Sequence, residues 1–173
     1  NKKGDVNMAN VTFKGQPIRL FGELIQINDY APNFHLVRND LSDYYLDYAK
    51  GKNVVLNIFP SLDTSVCATS VRHFNKIAAQ LPNTVVLAIS KDLPFAQGRF
   101  CTTEGIDNVI TLSDFRSPEF ATEYGLLIED GPLRGLLARA VVVINPDGKV
   151  IYTEIVTEIT TEPNYNAVIE LLK

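Results

Sequence analysis

Three near-continuous apolar runs constrain this chain more than any other feature. Val54-Val55-Leu56-Asn57-Ile58-Phe59, Val85-Val86-Leu87-Ala88-Ile89 and Ala140-Val141-Val142-Val143-Ile144 are too short for buried helices and rich in β-branched residues. Such runs read as strands covered on both faces, the centre of a sheet flanked by helices. Between the first two lies a helical pattern over Ser65–Leu81, in which Cys67, Val71, Phe74, Ile77, Ala78 and Leu81 recur at spacings of three and four. Strand–helix alternation followed by a C-terminal hairpin and helix predicts an α/β fold with a mixed sheet and helices on both faces. Periodicity alone leaves the strand order open.

The other elements follow from local chemistry. Val11–Phe13 and Pro17–Leu20 flank a polar Lys14-Gly15-Gln16 turn and predict an N-terminal β-hairpin. Phe34–Val37, Tyr44–Leu46 and Val109–Leu112 are further strand candidates, and Asp47–Lys50 a single helical turn. Pro94 opens a short helix that Gly105 ends, and Ser117 is placed to cap a helix from Pro118 to Tyr124. Ile128–Leu136 reads as a loop. Asn145-Pro146-Asp147-Gly148 turns the hairpin between the 140–144 run and Val150–Val156. The last helix is expected over Pro163–Leu172. With 173 residues and no linker or repeat, residues 11–173 are expected to form a single domain. Residues 1–10 are expected to be a disordered or non-native leading segment, with Met8 as the natural start.

Charge and composition narrow the function. A net charge of −4 argues against nucleic acid as the main partner. No apolar run approaches the roughly 18 residues of a membrane span, and no secretory signal is visible, so a cytoplasmic location is expected. The two cysteines, Cys67 and Cys101, and two scattered histidines make no zinc pattern, and there is no Cys-x-x-Cys. No metal or cofactor is expected.

Cys67 falls where the first central strand hands over to a helix. The orphan N–H groups and the dipole there favour negative charge, so the position suits a thiolate nucleophile. A buried cysteine by itself is more often a small core residue. The flanking Pro60, Thr64 and helix start tip the reading toward chemistry. Pro60 can shield the sulfur from water, and the Thr64 hydroxyl can donate to it or position an oxygen substrate. Arg139 opens an apolar run, where a buried arginine needs a partner. It either stabilises the thiolate and donates to a peroxide oxygen, or reaches solvent from a strand end. Arg72 reads as a surface or structural ion-pair residue, His73 and His35 as solvated residues. A sulfenic acid on Cys67 could condense with Cys101. The alternative is a fixed disulfide, whose loop of roughly 35 residues would contribute about 4 kcal/mol in the chain-entropy model.

Pro60-x-x-x-Thr64-x-x-Cys67 matches the peroxiredoxin active-site motif. Asp92-Leu93-Pro94-Phe95-Ala96-Gln97 with Arg99-Phe100-Cys101, Asp130-Gly131-Pro132-Leu133, Ala138–Ile144 and Glu158–Pro163 extend the match. From Val11 to Lys173 the chain resembles the bacterial thiol peroxidases, which are atypical two-cysteine peroxiredoxins. The resemblance implies a thioredoxin-like fold with an N-terminal hairpin, and a homodimer. It implies Cys67 as the peroxidatic cysteine, Cys101 as the resolving cysteine, and Pro60, Thr64 and Arg139 as the substrate pocket. The implied activity is cofactor-free reduction of hydrogen peroxide and organic hydroperoxides through an intramolecular Cys67–Cys101 disulfide, which thioredoxin then reduces. Where family members often carry glycine after the motif threonine, this chain has Ser65, which should alter loop stiffness more than chemistry. A redox sensor and a binding domain with a static disulfide are the rival readings.

Overall fold

A computed structural model describes residues 10–173. Of the expected leading segment it reaches only Asn10, which is exposed; residues 1–9 lie outside the described residues. The N-terminal hairpin is present as β1 (Val11–Phe13) and β2 (Gln16–Ile18). Its turn is the two residues Lys14-Gly15, with φ of 51° and 80°, the handedness that matches the twist of the flanking strands. Then follow β3 (Leu20–Phe21), β4 (His35–Arg38), β5 (Asp43–Tyr45) and a 3-10 turn at Leu46–Ala49. The alternating part comprises β6 (Asn53–Ile58), α1 (Ser65–Ala78), β7 (Thr84–Ser90), α2 (Pro94–Glu104), β8 (Ile110–Ser113) and α3 (Pro118–Tyr124). Last come β9 (Leu127–Ile128), β10 (Ala140–Ile144), β11 (Val150–Ile155) and α4 (Tyr165–Leu172).

Seven strands form one mixed sheet in the order β11-β10-β6-β7-β8-β4-β5. β6, β7 and β8 are parallel, each crossover made by one helix, and the flanking pairs are antiparallel. The sheet divides the core, and the period-2 alternation of the strands assigns each residue to a side. Val55, Phe59, Val141 and Val143 pack with Cys67, Val71, Phe74 and Ile77 of α1 and with Val168 and Leu172 of α4. Leu56, Ile58, Leu87 and Val142 pack on the opposite face with Phe120, Ala121 and Tyr124 of α3 and with the hairpin's Val11 and Ile18. Each fully buried Val, Leu, Ile or Phe among them contributes about 1.5–3 kcal/mol.

Four local expectations change. α1 ends at Ala78 rather than Leu81, because Gln80 and Leu81 donate to carbonyls only three residues back, ahead of Pro82. α4 begins at Tyr165 rather than Pro163, where the Asn164 side chain accepts from the Ala167 N–H at 3.1 Å. Ser117 precedes α3 but does not cap it through its side chain; its Oγ donates to the His35 carbonyl at 2.6 Å. The expected loop at 128–136 begins inside a short strand, β9, which pairs with β3. Gly125 sits at this junction with φ of 73°, and a Cβ there would collide with the Glu23 carbonyl.

Candidate active site

The Val54–Phe59 run ends at buried Pro60, and the chain turns through Ser61–Thr64 into α1. Thr64 stands at the N-cap position with extended backbone, φ −101° and ψ 144°, so Cys67 is the third residue of the helix. The Thr64 Oγ1 donates to the Ser61 carbonyl at 3.0 Å and caps no helical N–H. Cys67 is fully buried among Val71, Phe74, Phe59 and Val141. The first turn of α1 is tied to β6 below it: Asn57 Nδ2 donates to Ser70 Oγ at 3.2 Å, and that hydroxyl donates to the Cys67 carbonyl at 2.8 Å.

Arg139, just before β10, is 1% exposed, so it does not reach solvent from the strand end. Its Nε donates to the Ile159 carbonyl at 2.8 Å and its Nη2 to Cys67 Sγ at 3.1 Å. Its Nη1 is buried with no partner among the described residues. Among the described residues no carboxylate forms an ion pair with it. Beside this pair opens a pocket of about 410 Å³, into which Pro60, Thr64 and Arg139 converge. Phe13, Leu133 and Ile159 form its apolar walls. Sequence reasoning missed these walls, because they come from the hairpin and two loops distant in the chain.

Cys101 lies elsewhere. It is half-buried on α2, with Sγ 3.7 Å from Thr111 Oγ1 of β8, a hydroxyl that also accepts from Asn39 Nδ2 at 3.2 Å. Burial pushes the Cys101 thiol up, against smaller opposing hydrogen bonds from Thr111 and Asn39. Both cysteines are free. α2 is lightly anchored, since only Pro94 and Gln97 of its residues are buried. Arg72 pairs with Glu104 at 3.2 Å, a structural link from α1 to α2. His73 stacks on Tyr165 at 3.7 Å, and His35 pairs with Asp43 and stacks on Tyr45.

Asp92, in the β7–α2 connection, also escaped residue-by-residue reading. Its Oδ1 accepts from Ser61 Oγ at 2.8 Å, and its Oδ2 from the Leu62 N–H at 2.8 Å and Ser90 Oγ at 2.7 Å. A neighbouring buried carboxylate, Asp114, is pushed up to about 6 by burial, partly offset by Lys91 at 3.0 Å.

A family model described as redoxin matches residues 26–169. A thiol peroxidase of Corynebacterium glutamicum is 52% identical over 95% of this chain and 99% of its own length. One from Mycobacterium bovis is 53% identical over the same shares. The chain belongs to the redoxin family, in its thiol peroxidase branch. The crystal structure of a peroxiredoxin-like protein from Aquifex aeolicus matches this redoxin with a TM-score of 0.89 at 44% identity, covering 93% of this chain and 94% of that one. The resemblance drawn from the sequence motifs and the thioredoxin-like mixed sheet are both supported by these matches.

Proposed function

We propose that this redoxin is a cofactor-free peroxidase in which Cys67 is the peroxidatic and Cys101 the resolving cysteine. One observation carries the reading. A buried guanidinium with no carboxylate partner among the described residues donates to a buried sulfur at a helix start, beside an open pocket. A buried cation requires a nearby anion, and a Cys67 thiolate supplies it. The thiolate attacks the terminal oxygen of a hydroperoxide; an S–O bond forms as the O–O bond breaks, and the leaving alkoxide or hydroxide takes up a proton. The unpartnered Arg139 Nη1 and the Thr64 hydroxyl are the donors for the oxygens as charge develops, with Pro60 limiting water. Cys67 becomes a sulfenic acid. The Cys101 thiol then attacks that sulfur, the S–S bond forms, and water leaves.

A dithiol reductant of the thioredoxin type restores both thiols. The apolar pocket walls favour organic hydroperoxides alongside hydrogen peroxide. The working unit is a homodimer acting in the cytoplasm, and residues 11–173 serve as one domain. Single-turnover peroxide consumption should collapse in Cys67→Ser, whereas Cys101→Ser should complete one turnover and accumulate sulfenic acid. Equal single-turnover rates for Cys67→Ser and the unaltered protein would end this assignment.

A further inference from the structure

A buried sulfur has to leave its place before it can reach a partner on another helix. Something must therefore hold the Pro60–Cys67 stretch closed while peroxide is present and release it afterwards. Two of the polar contacts that fix this stretch converge on one carboxylate, which also holds the end of β7. Asp92 accepts the Ser61 hydroxyl, the Leu62 N–H and the Ser90 hydroxyl, at 2.7–2.8 Å. The network continues toward α2: Ser90 Oγ accepts from the Asp92 N–H at 3.3 Å and from Gln97 Nε2 at 3.2 Å, and Gln97 also donates to the Leu112 carbonyl at 2.9 Å. Gln97 is one of two buried residues of α2 and lies one turn before Cys101 on the same face. A continuous chain of hydrogen bonds thus runs from the turn preceding Cys67 to the helix bearing Cys101. Asp92 is its only charged member, and bonds to a charged acceptor are the strong ones.

We propose that Asp92 is a positioning residue that sets the balance between the two half-reactions. Latched, it holds Ser61 and Leu62, and through them Thr64 and the start of α1, in the geometry that meets peroxide. Its release frees the Cys67 loop and loosens the anchoring of α2 together, so opening for disulfide formation is paced by these bonds. The inference rests on the Cys67–Cys101 reading above and adds a residue that touches neither sulfur.

In Asp92→Asn the amide presents one acceptor and one donor where three donors converge. The amide oxygen can serve Leu62 and Ser90, but the amide nitrogen then faces Ser61, whose hydroxyl must reverse and accept, and every bond to this position loses the strength of a charged acceptor. Oxidation of Cys67 by peroxide, followed by stopped flow in a Cys101→Ser background, should slow by about threefold to tenfold. Formation of the Cys67–Cys101 disulfide, followed in protein with both cysteines, should accelerate by a similar factor. The peroxide concentration that over-oxidises half of Cys67 to sulfinic acid should rise accordingly. Ser61→Ala removes a single donor and should move all three readouts the same way by a smaller factor, which keeps the test valid if Asp92→Asn folds poorly. A residue serving only as structural support would slow both steps; both steps slowing together, or neither moving, overturns the latch. Cys67→Ser run in parallel separates the two levels. If it keeps the oxidation phase, the catalytic assignment fails. If it loses that phase and the opposite shifts are absent, only the latch fails.

Discussion

At the scale of single residues, the pair that matters is Arg139 and Cys67. The guanidinium is held from two sides, by the Ile159 carbonyl and by the sulfur, and its plane presents a third edge with no acceptor among the described residues. Lysine would keep the charge and lose the fork, since one ammonium cannot hold Ile159 and also present two donors at fixed angles. Arg139→Lys should therefore lower kcat/KM for hydroperoxide by about 10²–10³, the cost typical of removing one preorganised donor. The thermal midpoint, measured alongside, should shift far less than the rate. A rate within about threefold of the unaltered protein would show that charge alone suffices. Cys67, Thr64, Pro60 and Arg139 were legible in the sequence because each sits at an element boundary or interrupts an apolar run. Asp92 was not, because its partners at Ser61 and Leu62 lie some thirty positions away and include a backbone N–H that no composition reveals.

Among the elements, the N-terminal hairpin does more than its length suggests. Glu158 reaches across to it: its carboxylate accepts the Gly15 N–H at 2.8 Å, the Lys14 N–H at 3.2 Å and the Thr12 hydroxyl at 3.0 Å. It also accepts the N–H and hydroxyl of Thr160 within its own loop, at 2.9 and 2.7 Å. Next to it, the Ile159 N–H donates to the Thr12 carbonyl at 3.0 Å, while the Ile159 carbonyl holds Arg139. The hairpin is thereby coupled through one loop to the arginine beside the sulfur. The hydrogen bonds from Thr160 and then Gly15 depress the Glu158 pKa to about 2, below its ordinary 4.5. A group depressed on folding stabilises the native state fully above its unfolded pKa, and that contribution fades as pH falls toward the folded value. Thermal melts of Glu158→Gln and the unaltered protein should therefore differ most near about pH 6, with the gap narrowing below the ordinary 4.5 and closing only as pH falls through about 2. A gap that stays constant or widens on acidification would contradict the clamp. The sequence showed the hairpin but not this clamp, nor the β3–β9 pair, whose strands of two residues are too short to carry a period.

Across the whole molecule, the apolar runs announced a sheet but not its order. Which strand lies beside which is set by pairings such as β10 with β6 and β4 with β8, contacts between segments far apart in the chain that periodicity does not encode. That order gives the two segments that the proposed disulfide would require to move a fixed platform. β6 and β10 are buried on both faces, and α1 is rooted beyond its first turn by Val71, Phe74 and Ile77. α2 has only Pro94 and Gln97 buried. Opening should then be confined to the first turns of α1 with the preceding loop, and to α2, because these carry few buried apolar contacts. Hydrogen exchange on the reduced and the peroxide-oxidised protein tests this. Oxidation should speed exchange in peptides spanning 61–70 and 93–104, while amides of β6, β7 and β10 keep their protection. Loss of protection in β10 would mean that disulfide formation disturbs the strand next to Arg139. The arginine would then move with the sulfur instead of waiting in place for it, and regeneration of the pocket would require an interior strand of the sheet to refold as well as the helix.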